Sequence, residues 1–393
     1  MNAPAFVIGV PLAAAALLAA LPGRAWAARV NALASLATAV AATTLFAQRG
    51  EEHGFLLVDD LNVFFAVLTA FVAFTTSWFS AGYIAHEIES GHLTPVSLRF
   101  YHAMYQGLTA AMLLALLANN IALMWVAVEA ATLITVVMVS IYRTRESIEA
   151  AWKYFILGSV GIALALFGTI LVYLSAQGAI GEGIDALSWT RLRDAAPRLD
   201  AGVLNLAFVF LLIGYGTKVG LAPLHAWLPD AHAEGPTPIS AVLSGLLLNV
   251  ALYAVLRFKI LLAGNPGTLA ASPLMLAMGT SSLLLAGVML YRRRDIKRFF
   301  AYSSIEHMGL IVFAFGVGGA VANFAGLLHM ALHSLTKSAI FCVPFTCAMW
   351  PTEKKIADLV RLCSAMCSSP AKFASVPPMP KANVITPMCS IEE

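Results

Sequence analysis

The chain has 393 residues, of which 60% are hydrophobic and 11% are charged, and its mean hydropathy is +0.82. Because soluble domains carry roughly a quarter charged residues, this composition excludes a water-soluble globular protein. The formal net charge of +3 is too small to indicate a protein that binds nucleic acid. Apolar stretches of about 20 residues recur along the chain and indicate a protein that crosses a lipid bilayer.

These stretches are continuously apolar rather than alternating, so they predict membrane-spanning α-helices instead of barrel strands. The predicted fold is an all-α, polytopic transmembrane bundle of about ten or eleven helices. The first stretch also resembles a signal peptide, but it lacks a basic leader, and we expect it to be retained. The predicted spans are 5–22, 30–47, 61–83, 102–118, 120–142, 152–175, 203–222, 238–262, 269–291, 303–318 and 323–342.

Lysines and arginines are unevenly distributed between alternate loops, which predicts the orientation in the membrane. The richer group is expected to be cytoplasmic: Arg24, Arg29, Arg99, Arg143, Arg145, Lys153, Arg292, Arg293, Arg294, Lys297 and Arg298. The poorer group is expected outside: Arg49, Arg191, Arg193, Arg198, Arg257 and Lys259. The N-terminus is therefore predicted outside a bacterial inner membrane. The basic run 292–298 is interpreted as a topological anchor, and a lipid or partner site there stays open.

Ionisable residues interrupt three of the predicted spans, at a cost of about 2.5–3.5 kcal/mol each at the bilayer centre. Glu129 lies in the fifth span and Lys218 in the seventh, while His329, His333 and Lys337 share one face of the eleventh at spacing i, i+4, i+8. A lysine in a low dielectric can lose its proton near neutral pH, and a nearby carboxylate favours its charged form. Histidine both gives and takes protons. The pattern favours a proton site, although a buried ion pair and structural histidines remain alternatives.

The connection between the seventh and eighth spans, residues 223–238, contains four prolines and predicts an interrupted helix. Irregular backbone at membrane depth is tolerated where it lines a cavity or is buried in protein. Within it, we expect His225 to deliver protons. Asp230 and His232 either share that role or cap neighbouring helix ends.

At these residues the chain resembles the antiporter-like membrane subunits of respiratory complex I, related hydrogenases and cation/proton antiporters. The matching segments are 125–129, 218–238, 301–309 and 329–341, and the resemblance extends from about residue 55 to 341. The segment 305–309, which contains Glu306, resembles the corresponding segment of component F of hydrogenase-4 and formate hydrogenlyase-type complexes. The resemblance implies that Glu129 and Lys218 are the paired residues of a proton channel, with His329, His333 and Lys337 on the lysine/histidine axis.

Two features depart from the family pattern. Asn249 stands where many members have a central lysine. The family also has about fourteen helices in inverted repeats, whereas the tail from Cys342 onward is rich in proline and cysteine and lacks glycine. The sequence therefore predicts an incomplete, truncated or frameshifted version of that fold. Its predicted parts are N-terminal helices (1–100), a first repeat (101–262), the start of a second half (263–341) and a disordered or unrelated tail (342–393).

The expected function is that of a non-catalytic, proton-translocating subunit of an oxidoreductase complex of the NADH:quinone or hydrogenase-4 type. The apolar body has no cysteine, so neither cofactor nor metal is expected in this chain, and partner subunits of a redox arm, with quinone in a neighbouring subunit as one option, would carry the electrons. Two alternatives stay open. One is a subunit of a multi-subunit Na+/H+ antiporter, and the other is an inactive scaffold.

Overall fold

The structure is a computed structural model that describes residues 3–20, 26–291 and 295–346. These residues form an α-helical bundle with one small antiparallel hairpin, β1 (Glu52–His53) and β2 (Leu56–Leu57), which confirms the predicted all-α class. The helices are α1 (Ala3–Ala20), α2 (Ala27–Thr43), α3 (Asp60–Glu89), α4 (Pro95–Leu117), α5 (Ile121–Val139), α6 (Arg145–Ile180), α7 (Trp189–Ala195), α8 (Ala201–Val219), α9 (Trp227–Glu234), α10 (Thr237–Val242), α11 (Leu248–Ala263), α12 (Ser272–Leu290), α13 (Ile296–Val317) and α14 (Gly319–Thr346).

Ten helical segments of the described residues are long and apolar enough to cross a membrane. They coincide with the first ten predicted spans, and α10 and α11 together make the eighth, Thr237–Ala263. The eleventh predicted span is helical as well, within α14, but is not one of these ten. A polytopic membrane protein is therefore confirmed, while its orientation in the bilayer stays a prediction.

Polar side chains set where several of these helices begin. Asp59, Asn120, Thr144 and Asp200 precede α3, α5, α6 and α8, and each accepts hydrogen bonds from backbone N–H groups of the first turn. Such caps satisfy donors that have no partner within the helix. At its other end α8 stops at Gly220, whose left-handed φ of 78° suits glycine. The capping residues thus place Lys218 in the last turn of α8.

The predicted interruption between the seventh and eighth spans is present. Residues 220–226 are irregular, α9 is short, and α10 continues through a π-helical turn at 243–247 into α11. Trp227 Nε1 donates to the Thr217 carbonyl (2.8 Å), and Ser240 Oγ donates to the His232 carbonyl (3.0 Å). These side chains donate to carbonyls near the ends of the broken helices, where the regular backbone hydrogen bonds stop.

Helices α6 and α8 approach each other through glycines. A Cβ atom added at Gly214 would lie 2.5 Å from the Ala165 nitrogen and 2.6 Å from the Gly161 oxygen. Small residues allow such close backbone contact, which packs helices where lipid provides no hydrophobic driving force. This contact fixes α8, and with it Lys218, against α6.

Two outcomes differ from the sequence predictions. Arg257, assigned to the outer loops, lies inside α11 and is 5% exposed, because Asp59 pairs with it. The helix α14 also continues past Cys342 to Thr346, beyond the predicted start of the tail. The rest of the tail (347–393), Arg24 and Arg292–Arg294 lie outside the described residues. The division into four parts stays a prediction.

Candidate functional site

Lys218 occupies a buried position between α8 and α6. It is 1% exposed, and its Nζ lies 5.3 Å from the centroid of the Tyr154 ring. A Cβ atom on Gly158 would lie 2.6 Å from the same nitrogen. Within the described part of the chain, Nζ has no hydrogen-bond partner. The lysine therefore extends into a space that exists because residue 158 has no side chain.

Glu129 is the charged group that faces this lysine. It lies half-buried in α5, and its charge interacts with that of Lys218. The Glu129 carboxylate and the Lys218 ammonium form no ion pair of 4.0 Å or shorter. Glu129 Oε2 is buried and, among the same residues, has no hydrogen-bond partner. The pair predicted from the sequence is thus brought together without direct contact.

The aromatic ring of Tyr154 lies beside Lys218, and neighbouring side chains hold it there. The Tyr154 ring stacks on Trp227 with centroids 4.3 Å apart, and its hydroxyl shares a 2.9 Å hydrogen bond with Thr135 Oγ1. Across the same interface Trp125 Nε1 donates to the Ile162 carbonyl (2.8 Å). Tyr154 precedes Gly158 by one helical turn on α6, a pairing that the sequence reasoning missed. Their i, i+4 spacing places them on one face of α6, but it does not indicate that Lys218 packs against that face.

A second polar cluster joins α13, α14 and the π-helical turn. His307 Nδ1 lies 2.8 Å from His329 Nε2, and the His307 and His333 rings are 5.7 Å apart. His333 Nε2 lies 3.2 Å from the Ser244 carbonyl oxygen. Lys337 Nζ donates to Ser303 Oγ at 2.8 Å. The three residues predicted on one face of the eleventh span therefore all face polar groups inside the bundle.

His307 was not selected from the sequence, although it lies in the 305–309 segment. It shares a face of α13 with Ser303, four residues earlier, so the i, i+4 rule could have found it. Asn249 sits beside this cluster and donates through Nδ2 to the Met330 carbonyl (2.9 Å) and to Ser334 Oγ (2.8 Å). Asparagine does not titrate near neutral pH, so here it bridges α11 and α14.

The two histidines of the interrupted helix have different surroundings. His225 is 8% exposed in the connection before α9, and its Nδ1 has no partner among the described residues. His232 is fully buried and stacks on Phe341, with ring centroids 5.2 Å apart. His232 caps no helix end among the described residues, because neither of its ring nitrogens has a hydrogen-bond partner there.

Asp230 forms ion pairs instead of capping a helix. It contacts Lys153 of α6 at 3.0 Å and Arg298 of α13 at 3.2 Å, and all three side chains are partly exposed. We expect Asp230→Asn to lower the free energy of unfolding by about 1 kcal/mol, because partly exposed pairs contribute little each. Thermal unfolding in detergent at low and high salt measures this. The loss should shrink at high salt, and Asp194→Asn, whose carboxylate pairs with its exposed neighbour Arg193, is the control.

Comparison with known proteins finds one family of membrane proteins that this chain matches. The profile of the family described as NADH:quinone oxidoreductase/Mrp antiporter, transmembrane, matches residues 118–371. This match continues beyond Phe341, where the sequence reasoning ended the resemblance. A hydrogenase-4 component F homolog of Methylacidiphilum infernorum is 64% identical over 336 residues, which cover 86% of this chain and 71% of that protein. Three further curated relatives are longer, and the chain spans 43% to 60% of their lengths.

Two solved structures share the fold at 24% identity. One is a chain of the membrane-bound sulfane sulfur reductase, an archaeal respiratory membrane complex, with a TM-score of 0.77 over 87% of this chain and 70% of the other. The second is a chain of respiratory complex I from Thermus thermophilus, with a TM-score of 0.66 over 87% and 69%. The chain therefore shares its fold with one chain of each of these two membrane complexes.

Proposed function

The chain belongs to the NADH:quinone oxidoreductase/Mrp antiporter membrane family, and on that premise we propose that it moves protons across the membrane for a redox complex. It is an antiporter-like subunit of the complex I and hydrogenase type. In the proposal, other membrane subunits and a redox arm carry the electrons, and this chain converts their signal into proton movement. Moving one charge through 100 mV requires about 2.3 kcal/mol.

The environment of Lys218 carries the proposal. A pair that only fixed helix register would hold its charges in direct contact, because an uncompensated buried charge is costly. Lys218 is instead buried with no hydrogen-bond partner among the described residues, and Glu129 faces it without an ion pair. A change in the Glu129 to Lys218 separation then alters how tightly the lysine holds its proton. Such a site can load and release a proton as the partner complex cycles.

The second cluster extends the proposed path. His307 lies within hydrogen-bond distance of His329 and in ring contact with His333, and Lys337 follows one turn beyond His333. Imidazoles can pass protons because each ring has one nitrogen that accepts and one that donates. Asn249 does not titrate, so we propose that water carries the proton past this position. His225 is proposed to deliver protons to the interrupted helix.

Proton uptake by inverted membrane vesicles tests this function. The vesicles contain the assembled complex, the redox reaction is driven, and wild type is compared with Lys218→Ala and Glu129→Ala. We expect uptake to fall at least ten-fold in both variants, a size typical of lost proton-transfer groups. Lys153→Ala is the control, because this lysine is 49% exposed and its partners Glu149 and Asp230 are at least partly exposed. Assembly is checked by copurification.

Other outcomes assign a different function. Uptake that persists in both variants of an assembled complex would make Glu129 and Lys218 structural. Sodium-stimulated proton exchange without a redox partner would indicate a Na+/H+ antiporter subunit. Inertness in both assays, with the complex intact, would indicate a scaffold.

A further inference from the structure

The second helix, α2, buries a polar face and exposes an apolar one. Asn31, Ser35 and Thr38 are fully buried, whereas Leu33 and Val40 are 64% and 61% exposed. In a membrane, a helix with this pattern turns its apolar side chains to lipid and its polar side chains to other helices or to water inside the bundle. The polar face of α2 is therefore suited to bind polar groups of a neighbouring helix, and α4 supplies them.

Gln106 of α4 contacts this face, and its hydrogen bonds fix the direction of two amide groups. Its Nε2 lies 2.9 Å from the Asn31 carbonyl oxygen, 2.8 Å from Asn31 Oδ1 and 2.8 Å from Ser35 Oγ. A carbonyl oxygen only accepts, so the nitrogen of the Gln106 amide faces Asn31, and Gln106 Oε1 points elsewhere. The same contacts leave Asn31 Nδ2 as an unused donor. Neither Gln106 Oε1 nor Asn31 Nδ2 has a hydrogen-bond partner among the described residues.

A buried histidine lies one helical turn before Gln106 on α4. His102 is fully buried, and neither of its ring nitrogens has a hydrogen-bond partner within the described part of the chain. Leu98, one further turn back, packs against the apolar cluster that contains Ala27 of α2. Residues four apart share a helix face, with Cβ atoms about 5–6 Å apart. His102 therefore faces α2, between a residue that packs on α2 and one that hydrogen-bonds to it.

The chemistry of these unused atoms identifies the ligand that they bind. A polar group without a partner at membrane depth is costly, and apolar neighbours satisfy none of them. Asn31 Nδ2 donates, Gln106 Oε1 accepts, and the neutral imidazole of His102 has one nitrogen of each kind. A cation would suit only the acceptors and an anion only the donors, whereas water both donates and accepts. A buried water makes about three hydrogen bonds, and three side chains meet here.

We propose that α2 and α4 hold bound water between Asn31, Gln106 and His102. The water accepts from Asn31 Nδ2 and donates to Gln106 Oε1, and a third hydrogen bond joins it to His102. It fastens α2 to α4, since polar contacts hold helices together where lipid provides no hydrophobic driving force. All three residues precede the segment 118–371 that matches the family profile, and none belongs to the proposed proton path. The inference does not rest on proton translocation.

X-ray radiolytic footprinting of the purified protein in detergent tests this site. X-rays produce hydroxyl radicals from bound water in place, and mass spectrometry then locates the oxidised side chains. We expect His102 to be oxidised several-fold faster than Met112. Met112 is the control because it lies on the same helix and is fully buried in the apolar core, although methionine is intrinsically the more readily oxidised side chain. His92, whose side chain is 65% exposed, gives the rate of a histidine in contact with solvent.

Radicals generated chemically in the bulk solvent distinguish bound water from local opening of the bundle. With them we expect oxidation of His92 and protection of His102, because bulk radicals do not reach a fully buried ring. Oxidation of His102 by both sources, or protection from both, would overturn the proposal. Gln106→Leu removes an acceptor of the water, so X-ray oxidation of His102 should fall several-fold, and an unchanged rate would also contradict the site. If that variant does not fold, the two radical sources applied to wild type still decide.

Discussion

Replacing Asp59 by asparagine is expected to lower the free energy of unfolding by about 3 kcal/mol, the cost of leaving a buried charge unpaired. Arg257 Nη1 donates to Asp59 Oδ2, and the two side chains are 6% and 22% exposed. Arg257 also donates through Nε to the Tyr253 hydroxyl (2.7 Å) and lies 5.0 Å from the Trp189 ring. The guanidinium would lose its one carboxylate contact among the described residues and could not reach water.

Asp59 also caps α3, so asparagine is chosen because it removes the charge and keeps the cap. Its Oδ1 accepts from the backbone N–H groups of Leu61 and Asn62, and asparagine caps a helix about as well as aspartate. The loss therefore reports the ion pair. Asp60→Asn is the control, since that side chain is 90% exposed and its contact with Arg49 is at the surface. Denaturant unfolding of the purified protein in detergent measures both.

A double variant checks the physical reason. Asp59→Asn with Arg257→Met removes both charges, so we expect it to be more stable than Asp59→Asn alone. If the free energy of unfolding of the double variant falls by the sum of the losses in the two single variants, the ion pair is not what stabilises this end of the bundle. Equal stability of Asp59→Asn and wild type would contradict the prediction directly.

The ion pair also illustrates what the sequence could not predict. Arg257 looked like the basic end of a span, because its carboxylate partner is 198 positions away in the chain. Glu129 and Lys218 were easier to select, since a charged residue inside a long apolar run is recognisable from the sequence alone. His329, His333 and Lys337 were recognisable for a similar reason, because their helical spacing places them on one face.

The groups that surround those charges needed the packed structure. Gly158 is one of many glycines in the sequence, and nothing local marks it as the neighbour of Lys218. Its position depends on how α6 and α8 approach each other. Hydropathy predicts that helices exist and leaves their mutual arrangement open.

Gly158→Ala is expected to reduce proton uptake about ten-fold while the protein remains as stable as wild type. The new methyl group would lie 2.6 Å from Lys218 Nζ, closer than van der Waals contact allows. The atom that must move is the tip of a flexible side chain, so the shift costs little. In a helix interior, alanine is also more favourable than glycine by roughly 1 kcal/mol. A displacement near 1 Å can reduce a reaction by about a hundred-fold where geometry is critical.

Gly178→Ala is the matched control, because it lies on the same helix and a Cβ atom there meets nothing within 4 Å. Vesicle proton uptake and thermal unfolding are measured on both variants. A fall in uptake with unchanged unfolding in Gly158→Ala alone would mean that the position of the ammonium controls transfer. If Gly158→Ala retains full uptake, Lys218 transfers protons from a displaced position as well. The close fit against α6 would then serve packing alone.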